Sequence, residues 1–317
     1  MNNIIDKIQS SNNIVLLCHN NPDGDAIGST LSMYYILTKL GKEVDIVINK
    51  PPKRFNFLEG FQDIKEESSK DYDTAIILDT ATIDRVNDPS SILNKVEKKY
   101  VIDHHISNTH YGDENYIKKY PSCCQVVYDI AKKLNIKITK ELGEALMTGL
   151  LTDTGGFSHQ DVLPSTFAMA KELSKIVNIS SIYDKALKAI TRNQFNIKQI
   201  YLNNLEFYYD GKVAISYITE EDILNTNVTQ NDCGMLVNIP MEIDTVEVSI
   251  LARIFKDKVR ISLRSNNIDV NEVASIFGGA GHKNAAGITT NIPYEELIKK
   301  LLEVLEGKIY EWNINSK

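Results

Sequence analysis

A chain of 317 residues, 43% hydrophobic and 24% charged, is long enough for two domains that each bury a core. Its apolar stretches fall short of the ~18 residues that span a membrane, and its polar start, "MNNIIDKIQSSNN", lacks the pattern of a signal peptide, so a cytoplasmic protein with no membrane partner is expected. Lys and Arg number 35 against 42 Asp and Glu, and the resulting charge of −7 favours a small anionic ligand at one site over a long nucleic acid in a basic groove.

The first half alternates strands and helices. "NIVLLCH" (13–19) predicts a buried strand, and "AIGSTLSMYYILTKLG" (26–41) a helix that Gly41 stops. "EVDIVIN" (43–49) is the next strand, followed by "DTAIILD" (73–79) and "KYVID" (99–103), two apolar runs that end in aspartate. Ser122 caps a helix from Cys123, and Thr139 caps one from Lys140. Continuous apolar strands separated by helices predict a parallel sheet with both faces covered by helices. Residues 164–204 read as helices. Beyond them, "FYYDGKVAISYI" predicts a hairpin turning at Asp210-Gly211, and a second hairpin turns around Lys256-Asp257. A helix-like "NEVASIF" precedes "GGAGHKNAAG", and "YEELIKKLLEVLEG" follows. The expected fold is α/β throughout: a catalytic parallel-sheet domain (1–185), a helical connector (186–204), and a smaller domain with a mixed or antiparallel sheet (205–317). The four cysteines, Cys18, Cys123, Cys124 and Cys233, form no CxxC pair and read as reduced thiols.

Ligands bind at the carboxyl ends of strands in such sheets. Three strands here end in metal-type side chains at that edge. One runs into His19, Asp23 and Asp25, one into Asp79, and one into Asp103, His104 and His105; a helix then supplies Asp153. Four clustered carboxylates cannot all stay ionised without compensation, and the motif segments hold no lysine or arginine. Two divalent cations would neutralise them, and mixed carboxylate and imidazole donors suit Mn²⁺ better than Mg²⁺. His110 and His159 receive no role, His159 reading as a solvated loop residue, and Arg192 reads as an exposed helix arginine.

These segments resemble the DHH phosphoesterases. The motifs are "HNNPDGDAIGS" (19–29), "LDTA" (78–81), "DHH" (103–105) and "TGLLTDTGGF" (148–157), with "GGAGHKNAAG" (278–287) similar to the glycine-histidine motif of the associated C-terminal domain. The resemblance implies that His19, Asp23 and Asp79 hold one metal, and Asp25, Asp79, His104 and Asp153 the other. Asp79 would then bridge two Mn²⁺ ions, with Mg²⁺ or Co²⁺ as substitutes. Asp103 would orient His104 or His105, or join the metal shell, and His105 would face the substrate phosphate.

Gly279 and Gly281 would turn backbone N–H groups toward a phosphate as a nest, with His282 and Arg264 as charged donors. Ala280 interrupts that glycine run. The architecture resembles the compact nanoRNase/pAp phosphatase group (pAp is 3′-phosphoadenosine 5′-phosphate). That implies hydrolysis of oligoribonucleotides of two to about five nucleotides, of pAp, or of both, by a hydroxide shared between two metals. No long duplex would bind, and a homodimer is left open. A stand-alone cyclic di-AMP or pApA phosphodiesterase has the same plan. An inactive nucleotide-binding regulator would have lost a ligand, and every expected ligand position is filled.

Overall fold

The computed structural model describes residues 2–315, and the chain divides into two compact units, residues 1–189 and 190–317. Unit 1 runs α1 (Asn2–Ser10), β1 (Asn13–Leu17), α2 (Gly24–Lys39), β2 (Glu43–Val47), β3 (Ile64–Lys65), β4 (Thr74–Leu78), β5 (Lys98–Asp103), β6 (Glu114–Ile117), α3 (Cys123–Lys133), α4 (Lys140–Asp153), α5 (Pro164–Leu173) and α6 (Ile179–Tyr183). Its six strands are all parallel, in the order β3-β2-β1-β4-β5-β6. The order reverses between β1 and β4, and it is there that an α/β sheet opens a crevice for ligands.

The strands read as apolar runs because both faces are buried. Ile14, Leu16 and Ile76 point into one core with the helices, while Val15, Leu17 and Ile77 point into a second core under Val86, Ile92 and Leu93. Short 3₁₀ helices, Ile83–Arg85 and Ile92–Asn94, flank that second core. Helix α2 begins at Gly24, earlier than the hydrophobic pattern suggests, because the Asp23 side chain caps it by accepting the N–H groups of Asp25 and Ala26. Glycine sets the spacing of the helices behind the sheet. A Cβ on Gly28 would meet the Ala145 carbonyl oxygen, and one on Gly149 would meet Cys124 Sγ and Asp25 Oδ1. Helices α2, α3 and α4 therefore pack closer than any side chain allows, and this draws the start of α2 toward the end of α4.

Unit 2 contains α7 (Arg192–Asn203), β7 (Glu206–Tyr208), β8 (Val213–Thr219), α8 (Glu220–Thr226), α9 (Gln230–Gly234), β9 (Val248–Ile254), β10 (Val259–Ser265), α10 (Val270–Ile276), β11 (Ala280–His282), β12 (Ala285–Thr290) and α11 (Tyr294–Asn315). The sheet order is β11-β12-β10-β9-β8-β7; β8 and β9 are parallel and every other pair is antiparallel. Both expected hairpins are present, β7–β8 and β9–β10. Val259, Ile261 and Leu263 face a core shared with α10 and α11. The opposite face is covered over β8 and β9 by Ile197 and Tyr201 of α7 with Leu236 and Val237. Residues 186–204 thus divide between the units: a π-helical turn, Asp184–Lys188, closes the first, and α7 is part of the second. Among the described residues, no helix is long and apolar enough to cross a membrane.

Candidate active site

The carboxyl edge of the parallel sheet gathers side chains far apart in sequence. His19 follows β1, Asp79 follows β4, and Asp103, His104 and His105 close β5. Asp23 and Asp25 come from the start of α2, and Asp153 is the last residue of α4. His19, Asp23, Asp79, His104, His105 and Asp153 line one pocket.

Asp79 divides its carboxylate between two groups of donors. Its Oδ2 lies 3.7 Å from His19 Nε2, and its Oδ1 lies 3.3 Å from His104 Nε2. His19 Nε2 is also 3.8 Å from Asp23 Oδ1, and His104 Nε2 is 3.3 Å from Asp153 Oδ2 and 3.9 Å from Asp25 Oδ2. His19, Asp23 and Asp79 form one set of donor atoms able to hold a cation, and Asp25, His104 and Asp153 form another.

The ring orientations are fixed from behind. His19 Nδ1 donates to the Asn20 carbonyl and His104 Nδ1 to the Tyr120 carbonyl, both at 2.9 Å, so each ring turns Nε2 toward the carboxylates. Asp103 is fully buried. Its Oδ1 accepts from the His104 backbone and from His105 Nδ1 (2.7 Å), and its Oδ2 accepts from Asn108 Nδ2 (2.6 Å).

Asp25 is also fully buried, and the means of its accommodation is absent from the motifs. Its carboxylate sits on the amino terminus of α3, accepting from the backbone N–H groups of Cys123 and Cys124 (2.9 Å for Cys124) and from Ser122 Oγ (3.1 Å). The positive end of a helix thus offsets part of its charge.

The electrostatics are those of a crowded acidic site. Burial opposes charge on His19 and His104. The facing Asp23 and Asp79 carboxylates outweigh it at His19, and the Asp79 carboxylate with the Asp25 charge outweighs it at His104, pushing each imidazole up to about 10. Burial, then the charges of Asp25 and Asp79, drives Asp153 far above the usual carboxylate range. Burial likewise raises Asp25, helped by Asp79. Burial works against the Asp79 carboxylate too, but His104 and His19 hold it well below its ordinary value.

A divalent cation fits these residues. Asp79 Oδ1 is buried and has no hydrogen-bond partner among the described residues. Donors that each stand about 2.0–2.2 Å from one shared ion lie about 3–3.5 Å from each other, which is the spacing of the tighter pairs here. Oxygen and imidazole donors together match the chemistry of a first-row divalent ion.

Several residues escaped the sequence reading. Arg85 lines the pocket, so one cation does stand at the edge of the acidic cluster. It is placed by a bridge between the His19 turn and its own loop: Asn20 N–H donates to the Arg85 carbonyl (2.7 Å), and His19 pairs with Val86. Asn108 and Tyr120 act only by fixing other groups, and a loop asparagine or a backbone carbonyl carries no sequence signal. His159 Nδ1 donates to the Asp153 carbonyl (2.7 Å) and remains exposed, whereas His110 pairs through its backbone with Asn108.

The second unit places its candidates differently. Ala280–His282 are extended and paired with β12, so the backbone there is an edge strand and not a nest. Of the glycines in that run only Gly278 has a left-handed backbone, with φ +72°. A Cβ on Gly279 would meet the Gly287 carbonyl, and one on Gly281 the Ala285 carbonyl, so these glycines allow the strands to approach. Ala280 sits without strain in this strand. His282 is exposed on it, and Arg264 lies on β10 across β12, its Nη1 donating to the Leu263 carbonyl.

The profile of the DHH family N-terminal domain matches residues 13–150, and that of the DHHA1 domain matches residues 210–311. A protein of Streptococcus mutans named probable bifunctional oligoribonuclease and PAP phosphatase NrnA is 30% identical over 298 residues, covering 90% of this chain and 91% of that protein. The chain belongs to the DHH family of phosphoesterases. A Thermus thermophilus relative named bifunctional oligoribonuclease and PAP phosphatase NrnA is 27% identical, with coverage of 93% and 90%. A crystal structure of an exopolyphosphatase-related protein from Bacteroides fragilis superposes with a TM-score of 0.81 at 26% identity, covering 98% of this chain and 97% of that one. RecJ from Thermus thermophilus, in complex with Mn²⁺, shares the fold at a TM-score of 0.53 and 12% identity, and this chain covers 53% of its length. DHH phosphoesterases are metal-dependent, and the acidic pocket is where this member gathers the donors for a metal.

Proposed function

We propose that this DHH phosphoesterase hydrolyses short oligoribonucleotides of two to about five nucleotides to mononucleotides, and pAp to AMP, using two Mn²⁺ ions. The observation that carries the metal reading is the divided carboxylate of Asp79, one oxygen toward His19 and the other toward His104. The substrate class follows the names of relatives that align over about nine-tenths of the chain.

His19, Asp23 and Asp79 would hold one cation, and Asp25, Asp79, His104 and Asp153 the other. The chemistry that such a pair supplies is activation of a water for in-line attack, together with neutralisation of charge on the transferring phosphoryl group. The remaining work belongs to the chain. Backbone carbonyls of Asn20 and Tyr120 keep the Nδ1 protons of His19 and His104 in place, so both rings offer Nε2 as a lone-pair donor. Asp103, itself held by Asn108, keeps the proton on His105 Nδ1. That hydrogen bond raises His105 above its ordinary value, which favours the protonated ring as a donor for a phosphoryl oxygen. Arg85 lines the same pocket and adds a second cationic donor. Residues 205–317 serve as the substrate-binding domain, with His282 and Arg264 holding a terminal phosphate.

The test is a comparison of initial rates on pAp, a ribodinucleotide, cyclic di-AMP and pyrophosphate, each with Mn²⁺ and after exhaustive chelation. Turnover of pAp and the dinucleotide that needs the metal is expected. Activity that survives chelation, or turnover confined to cyclic di-AMP or pyrophosphate, would end this reading.

A further inference from the structure

One face of the second sheet holds a pair of arginines that the site above does not use. Residues of β10 alternate: Val259, Ile261 and Leu263 are buried, while Arg260, Ser262 and Arg264 stand on the other face. The register sets Arg253 of β9 directly across from Arg260. Like charges directly opposed on antiparallel strands repel. Among the described residues no carboxylate lies within 4.0 Å of either guanidinium, so nothing in the fold neutralises the pair.

Their hydrogen bonds are incomplete as well. Arg253 is half-buried, and its Nε is buried without a partner. Its Nη1 and Nη2 reach the Gln230 carbonyl and Ser262 Oγ only at 3.4 Å, the long limit of a hydrogen bond. Arg260 Nη1 donates to Gln230 Oε1 at 2.6 Å, and its guanidinium carbon lies 5.6 Å from the Phe255 ring centre. Both side chains therefore converge on Gln230, beside Ser262. Burial, together with Arg260, disfavours the charge on Arg253. An anion placed between the two would relieve the repulsion and take up the idle donors.

We infer that Arg253 and Arg260, with Ser262, form a phosphate subsite for a phosphodiester of the substrate strand, separate from the Arg264 and His282 end of the same sheet. The inference rests on the proposed function, and it sets which substrates use the whole face. Arg260 and Arg264 are four residues apart on one strand, about 13 Å. The two phosphates of pAp sit on one ribose, well short of that span. A strand of three nucleotides reaches both ends. The subsite therefore separates the two substrate classes, adding affinity to oligonucleotides of three or more and little to pAp.

Isothermal titration calorimetry on the metal-loaded full chain tests this. One probe is a 5′-phosphorylated trinucleotide whose bridging ester oxygens are methylene groups, which keeps the charges and prevents hydrolysis. The other is the adenosine bisphosphate with the same replacement. Arg253→Met combined with Arg260→Gln is expected to weaken trinucleotide binding about 10- to 100-fold and bisphosphate binding less than threefold. The salt dependence for the trinucleotide should also flatten, by about 0.7 in log–log slope for each phosphate the variant no longer neutralises. Arg260→Gln alone, which keeps a polar side chain on the strand, carries the test if the double variant misfolds. Unchanged trinucleotide binding, or an equal loss for both probes, overturns the subsite. A wild-type chain that binds neither probe overturns the proposed function and the subsite together.

Discussion

In unit 1 the charged groups collect at the ends of parallel strands, with Asp25, Asp79 and Asp103 buried, whereas in unit 2 they stand along one face of a mostly antiparallel sheet. The contrast follows from strand direction. Parallel strands finish at one edge, so residues as distant as His19, Asp79 and Asp103 meet there. Antiparallel strands finish at alternate edges, so unit 2 displays its chemistry on every second residue, as with Arg260, Ser262 and Arg264. An edge cluster has to be supported from behind, and His19, Asp23, Asp25 and His104 each have a fixing partner. A face needs no such support, and the arginines of unit 2 have few partners.

The largest effect that tests this contrast is at the edge. Asp79→Asn should lower turnover at least a hundredfold and reduce bound metal by elemental analysis, because one residue faces both donor sets. Retention of more than a few per cent of activity would remove Asp79 from the centre of the site. Next is the packing behind the edge. Gly149→Ala drives a methyl into Cys124 and Asp25, both buried, and should cost about 2–4 kcal/mol in denaturant unfolding. Gly307→Ala, where a Cβ meets nothing within 4 Å in α11, should instead stabilise by about 0.5–1 kcal/mol.

The third effect is a dependence on pH. In the metal-free protein His19 and His104 titrate near 10, above the ordinary value of 6.5. Their protonation therefore stabilises the fold fully below about pH 6.5, and that contribution fades as pH rises toward 10. Chelated protein should lose several degrees of Tm between pH 6.5 and 9, and Mn²⁺ should restore more of it at the higher pH, since the metal displaces protons. A flat Tm for the chelated protein would show that the imidazoles are not coupled to the carboxylates. The smallest effect belongs to the second sheet. His282→Ala should raise KM about tenfold with bound metal unchanged, and loss of a metal would make His282 a ligand.

Much of the edge was legible because strands buried on both faces read as apolar runs, and each run ended in an aspartate or histidine. What was not legible is what crosses between elements. Ser122 read as a helix cap, and it is one, but nothing near it says that the same turn receives the Asp25 carboxylate. Arg85 lies in a loop without periodicity, and its place beside His19 comes from an isolated bridge to Val86. Strands as short as β3 and β6 hold too few residues for a pattern. The glycines at 279 and 281 pointed to a phosphate nest, but glycine also serves where two strands pack tightly, and composition cannot separate those uses.

Asp79 has a consequence for anyone engineering this protein. Its backbone is left-handed, with φ +52°, a conformation that glycine or asparagine adopts at lower cost, and its buried Oδ1 has no hydrogen-bond partner. The backbone conformation costs the fold something, whereas the pairing of the carboxylate with His19 and His104 favours it. A library screened for survival at high temperature alone weighs only these two contributions and not the metal, so any replacement at position 79 that it accepts would be inert. Heat selection does not guard turnover at this residue, so a stabilisation campaign should leave it fixed and work elsewhere.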